Sequence, residues 1–115
     1  MNEALQAFLD GHLPIEGVVA WSARLADRSV ASKCNEDWLS AAQMEQALNQ
    51  LAGTAENLRK HKIEPTRLCS VFENLRIHLS LGENGTCLAL FVENRPTEST
   101  DALERLLEEY RALAF

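Results

Sequence analysis

Residues 75–92 read LRIHLSLGENGTCLALFV. In the first seven, Leu75, Ile77, Leu79 and Leu81 alternate with Arg76, His78 and Ser80. That period of two belongs to a strand with one buried face. Glu83-Asn84-Gly85 supplies a hairpin turn, because Asn-Gly suits positive φ. Cys87 to Val92 are apolar throughout. A strand covered on both faces reads this way, so it belongs in the middle of a sheet with helices on each side.

Thr66 to Phe72 is rich in strand formers, with Pro65 before it and the turn Glu73-Asn74 after it, so three strands run in series. Upstream, Ala41, Met44, Leu48, Leu51, Ala55 and Leu58 recur at steps of three and four within residues 40–61. They form an apolar stripe on one long helix of roughly 33 Å. Ser40 is its N-cap. Ala47 and Ala52 widen the apolar face, which suits packing on a sheet better than the narrow seam of a coiled coil. From Gly17 the period is again two, with Val19, Trp21, Ala23 and Leu25 on one face and Ser22 and Arg24 on the other. Ala26-Asp27-Arg28-Ser29 turns the chain. Val30, Ser32 and Cys34 then return on one side, with Ala31 and Lys33 on the other.

A short helix opens the chain, with Asn2 as cap, Ala4, Leu5, Phe8 and Leu9 at helical spacing, and Gly11 and Pro14 to end it. A loop, NRPTEST at 94–100, leads to a last helix starting near Ser99 to Asp101. Leu103, Leu106, Leu107, Tyr110 and Leu113 share one face of it, opposite Glu104, Arg105, Glu108, Glu109 and Arg111. The element order is αββαβββα.

The 115 residues suit a single domain over 1–115 with a core that needs neither disulfides nor metals. Lys and Arg number 11 against 17 Asp and Glu, a formal charge of −6. That balance opposes nucleic-acid binding, which needs a basic surface to release counterions. It also leaves no basic cluster for anionic lipid. No apolar run approaches the roughly 20 residues of a membrane span, and MNEALQAFLDGH does not read as a secretory signal. The expected location is the cytoplasm. There Cys34, Cys69 and Cys87, odd in number and far apart, read as three small buried hydrophobes.

Nothing in the sequence points to catalysis. His12, His61 and His78 have no nucleophile, metal ligand or carboxylate at useful spacing. There is no GxGxxG and no GxxxxGKS/T to cradle phosphate, and no cofactor is expected. The charges of the last helix read as a solvated face or a surface for a basic partner. Trp21 reads as core. Trp38, in a polar stretch before the long helix, reads either as a staple folded onto it or as an exposed anchor for a partner. The outer face of that helix carries Gln46, Asn49, Gly53, Glu56, Asn57 and Lys60, rich in uncharged amides. Gly53 costs about 1 kcal/mol there against Ala. Either a second helix crosses closely at Gly53, or the glycine is a tolerated surface residue.

Nearly the whole chain resembles the roadblock/dynein light chain family. The resemblance rests on GVVAWSARLAD at 17–27, SVASKC at 29–34, the long helix, and GENGTCLALFVENRP at 82–96 with the helix after it. The first turn departs from the family: Asp27-Arg28-Ser29 stands where members often carry an Asp and a Gly. The resemblance implies an α+β fold, a five-stranded antiparallel sheet between helices. It implies homodimers or heterodimers in which the long helices pack together and the third strands pair across the axis. Arg67, Leu68, Cys69, Ser70 and Val71, with the face around Gly53, would then be interface. Members act as non-catalytic platforms that bind and regulate small Ras-like GTPases, or as adaptors. Two rivals are a PAS-like sensor, whose middle region breaks into several short helices, and an acidic dimeric secretion chaperone, which has three strands before its middle helix.

Overall fold

The computed structural model describes residues 3–82, 85–94 and 101–112. Its elements are α1 (Glu3–His12), β1 (Val18–Arg24), β2 (Val30–Cys34), α2 (Ala41–Lys60), β3 (Arg67–Val71), β4 (Leu75–Leu81), β5 (Cys87–Glu93) and α3 (Asp101–Ala112). The expected αββαβββα order therefore holds. The expected cap Asn2, the turn residues Glu83 and Asn84, the loop 95–100 and Leu113 lie outside the described residues.

The strands form one antiparallel sheet in the order β2-β1-β5-β4-β3. β5 sits at its centre, between β1 and β4, as its unbroken apolar run requires. Helices cover both faces. On one, Met44, Leu48, Ala52 and Ala55 of α2 close over Ala20, Ile77, Leu79, Leu81, Ala89 and Phe91. On the other, α1 and α3 bring Leu5, Leu9, Leu103, Leu106, Leu107 and Tyr110 onto Trp21, Ala23, Leu88, Leu90 and Val92.

Ser40 caps α2 through a full capping box: its hydroxyl accepts from the Gln43 N–H, and Gln43 Oε1 accepts from the Ser40 N–H. Two orphan helix donors are satisfied at once. Leu39, the residue before the cap, packs on the cluster that contains Met44. The staple position thus belongs to Leu39 and not to Trp38.

Several expectations need correction. β1 has two buried faces, because helices cover both sides of the sheet there: Ser22 is fully buried, and among the described residues its hydroxyl has no hydrogen-bond partner. Val19 does not share a face with Trp21. A bulge sets Val19 and Ala20 together opposite Phe91, which turns Val19 to the α2 side. The polar face of β4 is partly covered as well. Ser80 is fully buried beneath α3 and donates to the Leu107 carbonyl at 2.8 Å. Ala41 is exposed, being in the first turn before α2 settles on the sheet at Met44. Gly11 does not end α1, which runs on to His12. Of the three cysteines only Cys87 is core; Cys34 is half-buried and Cys69 is exposed on the edge strand β3.

Candidate functional site

β3 is an edge strand, and the direction of its free backbone groups follows from two hydrogen bonds. Phe72 donates to the Leu75 carbonyl at 2.8 Å, and Leu81 donates to the Thr66 carbonyl at 3.1 Å. The register pairs Leu68 with Leu79 and Ser70 with Ile77. Antiparallel ladders alternate between bonded and non-bonded pairs. Leu68 and Ser70 therefore turn their N–H and C=O groups toward β4. Those of Arg67, Cys69 and Val71 point to the open edge.

Side chains alternate along the same strand. Leu68 and Ser70 share the α2 face with Leu79 and Ile77, whereas Arg67, Cys69 and Val71 share the α3 face with Ser80, His78 and Arg76. Arg67 reaches α3 and donates to both carboxylate oxygens of Glu104, at 2.7 and 3.0 Å. Past it the edge is apolar and open: Val71 is 73% exposed and Phe72 54%. Ile63, in the connection that leads into β3, is 55% exposed. Asn94 fixes the far end of the strand by donating to the Phe72 carbonyl at 2.8 Å. Trp38 is 50% exposed beside Asn74, Glu93 and Asn94.

The other sheet edge is built differently. β2 carries Lys33, a charged side chain that deters pairing of this edge with a second copy of itself. β3 has a single charge, Arg67, and Glu104 engages it.

On α2, Gln46, Asn49, Gly53, Glu56, Asn57 and Lys60 are all exposed. A Cβ added at Gly53 would meet nothing within 4 Å. Asn49 is engaged within the chain: Arg24 Nη2 on β1 donates to its Oδ1 at 2.6 Å. Asn49 and Leu51 lie about 200° apart around the helix. The flank away from Asn49 carries Ala47, Leu51 and Leu58, all half-buried. Ala47 and Leu51 border the same apolar cluster as Leu68 of β3 and Leu75 of β4.

Several titratable groups are engaged within the chain. Burial pushes the Cys87 thiol up, against a smaller opposing pull from Arg24. Burial also pushes the Tyr110 hydroxyl up to about 12. The Ser29 hydroxyl and N–H both bond the Asp27 carboxylate in the first turn and hold it below its usual range. His12, in the last turn of α1, lies 3.5 Å from Glu109 of α3 and stacks near Phe8. His78 accepts from Arg76 Nε at 3.1 Å, and His61 is the C-cap of α2. Among the described residues no group of three or more His, Cys, Asp or Glu is placed to hold a metal ion. Among them also, no helix is long and apolar enough to cross a membrane.

This layered arrangement is the roadblock/LC7 fold. MglB from Myxococcus xanthus superimposes with a TM-score of 0.70 over 97% of this chain and 90% of that one, at 8% identity. A roadblock/LC7 domain from Streptomyces avermitilis gives 0.62 over 92% and 93%, at 15% identity. MglC from Myxococcus xanthus gives 0.59 over 94% and 97%, at 19% identity. What the chain shares with these three at such identities is its fold. No family model and no curated protein matches the sequence.

Proposed function

We propose that the chain acts as one domain, a non-catalytic dimeric scaffold in the cytoplasm that binds and regulates a small Ras-like GTPase. The observation that carries the reading is the β3 edge. Cys69 and Val71 offer free backbone groups there, and Val71 and Phe72 expose large apolar area. An open apolar edge of this kind is an aggregation hazard unless another strand covers it. A second copy related by a two-fold axis would continue the sheet through β3, using residues 67–71. Two α2 helices would then lie side by side over one sheet. They would meet along the flank of Ala47, Leu51 and Leu58. Gly53, about 160° from Leu51 around the helix, faces away from that flank, which moves the expected helix crossing off the glycine.

The GTPase half rests on the fold and on the sequence resemblance. A fixed platform regulates a partner when it binds two states of that partner unequally. GTPase switch segments, ordered by the γ-phosphate, differ in that way. Trp38 and the outward residues of α2, Gln46, Glu56, Asn57 and Lys60, are the proposed contacts, Trp38 as the aromatic anchor. The two rivals lose support. α2 is one unbroken helix of 20 residues, unlike the short helices of a PAS-like sensor, and only two strands precede it, unlike a secretion chaperone.

The test is binding of small GTPases from the source genome, loaded with a GTP analogue or with GDP and measured by calorimetry. At least a tenfold difference in affinity between the two forms is expected for one of them, reduced by Trp38→Ala. Equal affinity would reduce the chain to a static adaptor. Nucleotide hydrolysis by the isolated chain, abolished by one substitution, would overturn the non-catalytic assignment.

A further inference from the structure

The edge opposite β3 carries a second site of different construction. A groove of about 750 Å³ runs between β2 and α1. Leu5, Trp21, Leu25 and Ala31 give it an apolar floor, Glu3 and Asp10 line its helix side, and Lys33 its strand side. The backbone of β2 is open along the same line. Asn35 donates to the Val19 carbonyl at 3.1 Å, and Leu25 donates to the Ser29 carbonyl at 2.8 Å. In the register that pairs Ser22 with Ser32, these bonds turn Ala31 and Lys33 toward β1. The N–H and C=O groups of Val30, Ser32 and Cys34 therefore face outward.

We propose that β2 and this groove form a strand-addition site for an extended partner segment whose groove-facing side chains, at every second residue, are in turn apolar and basic. The open backbone calls for an extended chain, since only a strand satisfies a row of outward N–H and C=O groups. Every second side chain of that strand would project over the groove, about 6.7 Å apart, where the apolar floor takes an aliphatic group. The charge of the helix side selects the rest. Glu3 and Asp10 lie two turns apart on one face of α1, and Gln6 Nε2 steadies the Asp10 carboxylate at 2.8 Å. Lysine or arginine at the groove margin would pair with them. A second copy is the wrong occupant, because pairing β2 with β2 would bring two Lys33 side chains onto one edge. The site lies across the sheet from β3, so it stands or falls separately from the dimer and the GTPase.

The experiment uses the full chain, ¹⁵N-labelled, titrated with a capped nine-residue peptide in which threonine alternates with valine and lysine. Binding should shift the amides of Val30, Ser32 and Cys34 and slow their exchange with solvent. Three changes should each weaken binding at least tenfold: N-methylation of alternate peptide amides, glutamate for lysine in the peptide, and Ser32→Pro. Ser32→Pro removes only an outward N–H, which an edge strand tolerates. Should that variant not fold, Asp10→Lys on the neighbouring helix tests the charge half alone. The proposal is overturned if millimolar peptide leaves the β2 amides unmoved, if the shifts map to β3, or if the N-methylated and glutamate peptides bind as well as the parent.

Discussion

Arg28 has φ 72° at the third position of the loop between β1 and β2. Leu25 and Ser29 close that loop, and Arg28 donates back to the Leu25 carbonyl at 2.9 Å. Three-residue hairpin loops take this shape, with the last residue left-handed and glycine preferred there. An L residue with a Cβ pays roughly 1–2 kcal/mol in that region. The hairpin thus keeps this conformation without the glycine that the sequence resemblance leads one to expect, and its strain is unrelieved. Arg28→Gly should stabilise the protein by about 0.5–1 kcal/mol, the remainder being lost to the greater freedom of unfolded glycine. Urea denaturation should show a higher midpoint at an unchanged slope. Trp38 is the counterpart on the side of legibility. A large aromatic near a helix cap is visible in the sequence, but only the position of the cap shows that Leu39 takes the staple and leaves Trp38 out.

At the scale of the element, β3 separates two neighbouring residues by function. Proline at either position removes one N–H. Cys69→Pro removes an outward donor and should weaken self-association about tenfold or more in sedimentation while leaving the monomer folded. Ser70→Pro breaks a ladder bond to β4 and should instead lower stability, as monitored by circular dichroism. If Cys69→Pro leaves association unchanged, the pairing of two β3 strands is wrong. The sequence could place this strand by its composition, yet the parity of its bonds depended on its register with β4. The bulge in β1 escaped for a related reason. Period-two reading assumes strict alternation, and one extra residue at Val19–Ala20 breaks it without any change in composition. The stripe on α2 was legible because a 3.6-residue period survives small errors of phase, and its one misplaced member, Ala41, lies at the helix end.

For the whole molecule, alkaline stability reports on the packing of α3 against the sheet. Tyr110 is 2% exposed, and its hydroxyl is pushed up to about 12 from a usual 10, mainly by burial. The folded state thus favours the neutral phenol more strongly than the unfolded chain does. Its contribution is present in full below pH 10 and is lost as pH rises from 10 through 12, a change of about 2–3 kcal/mol. Tyr110→Phe should flatten that part of the stability profile in denaturant melts at pH 9 to 12. The layers of the molecule and the central place of β5 were legible because three buried patterns, β5, β4 and α2, agree on one architecture. The pairing of β1 with β5 has a temporal side. The centre of the sheet joins the first strand of the chain to the last. During synthesis, two hairpins, β1–β2 and β3–β4, can form early, but each waits with an open inner edge until β5 leaves the ribosome and slides between them. A chain released short of β5 would therefore present two apolar edges at once, which makes the nascent protein a natural client for chaperones.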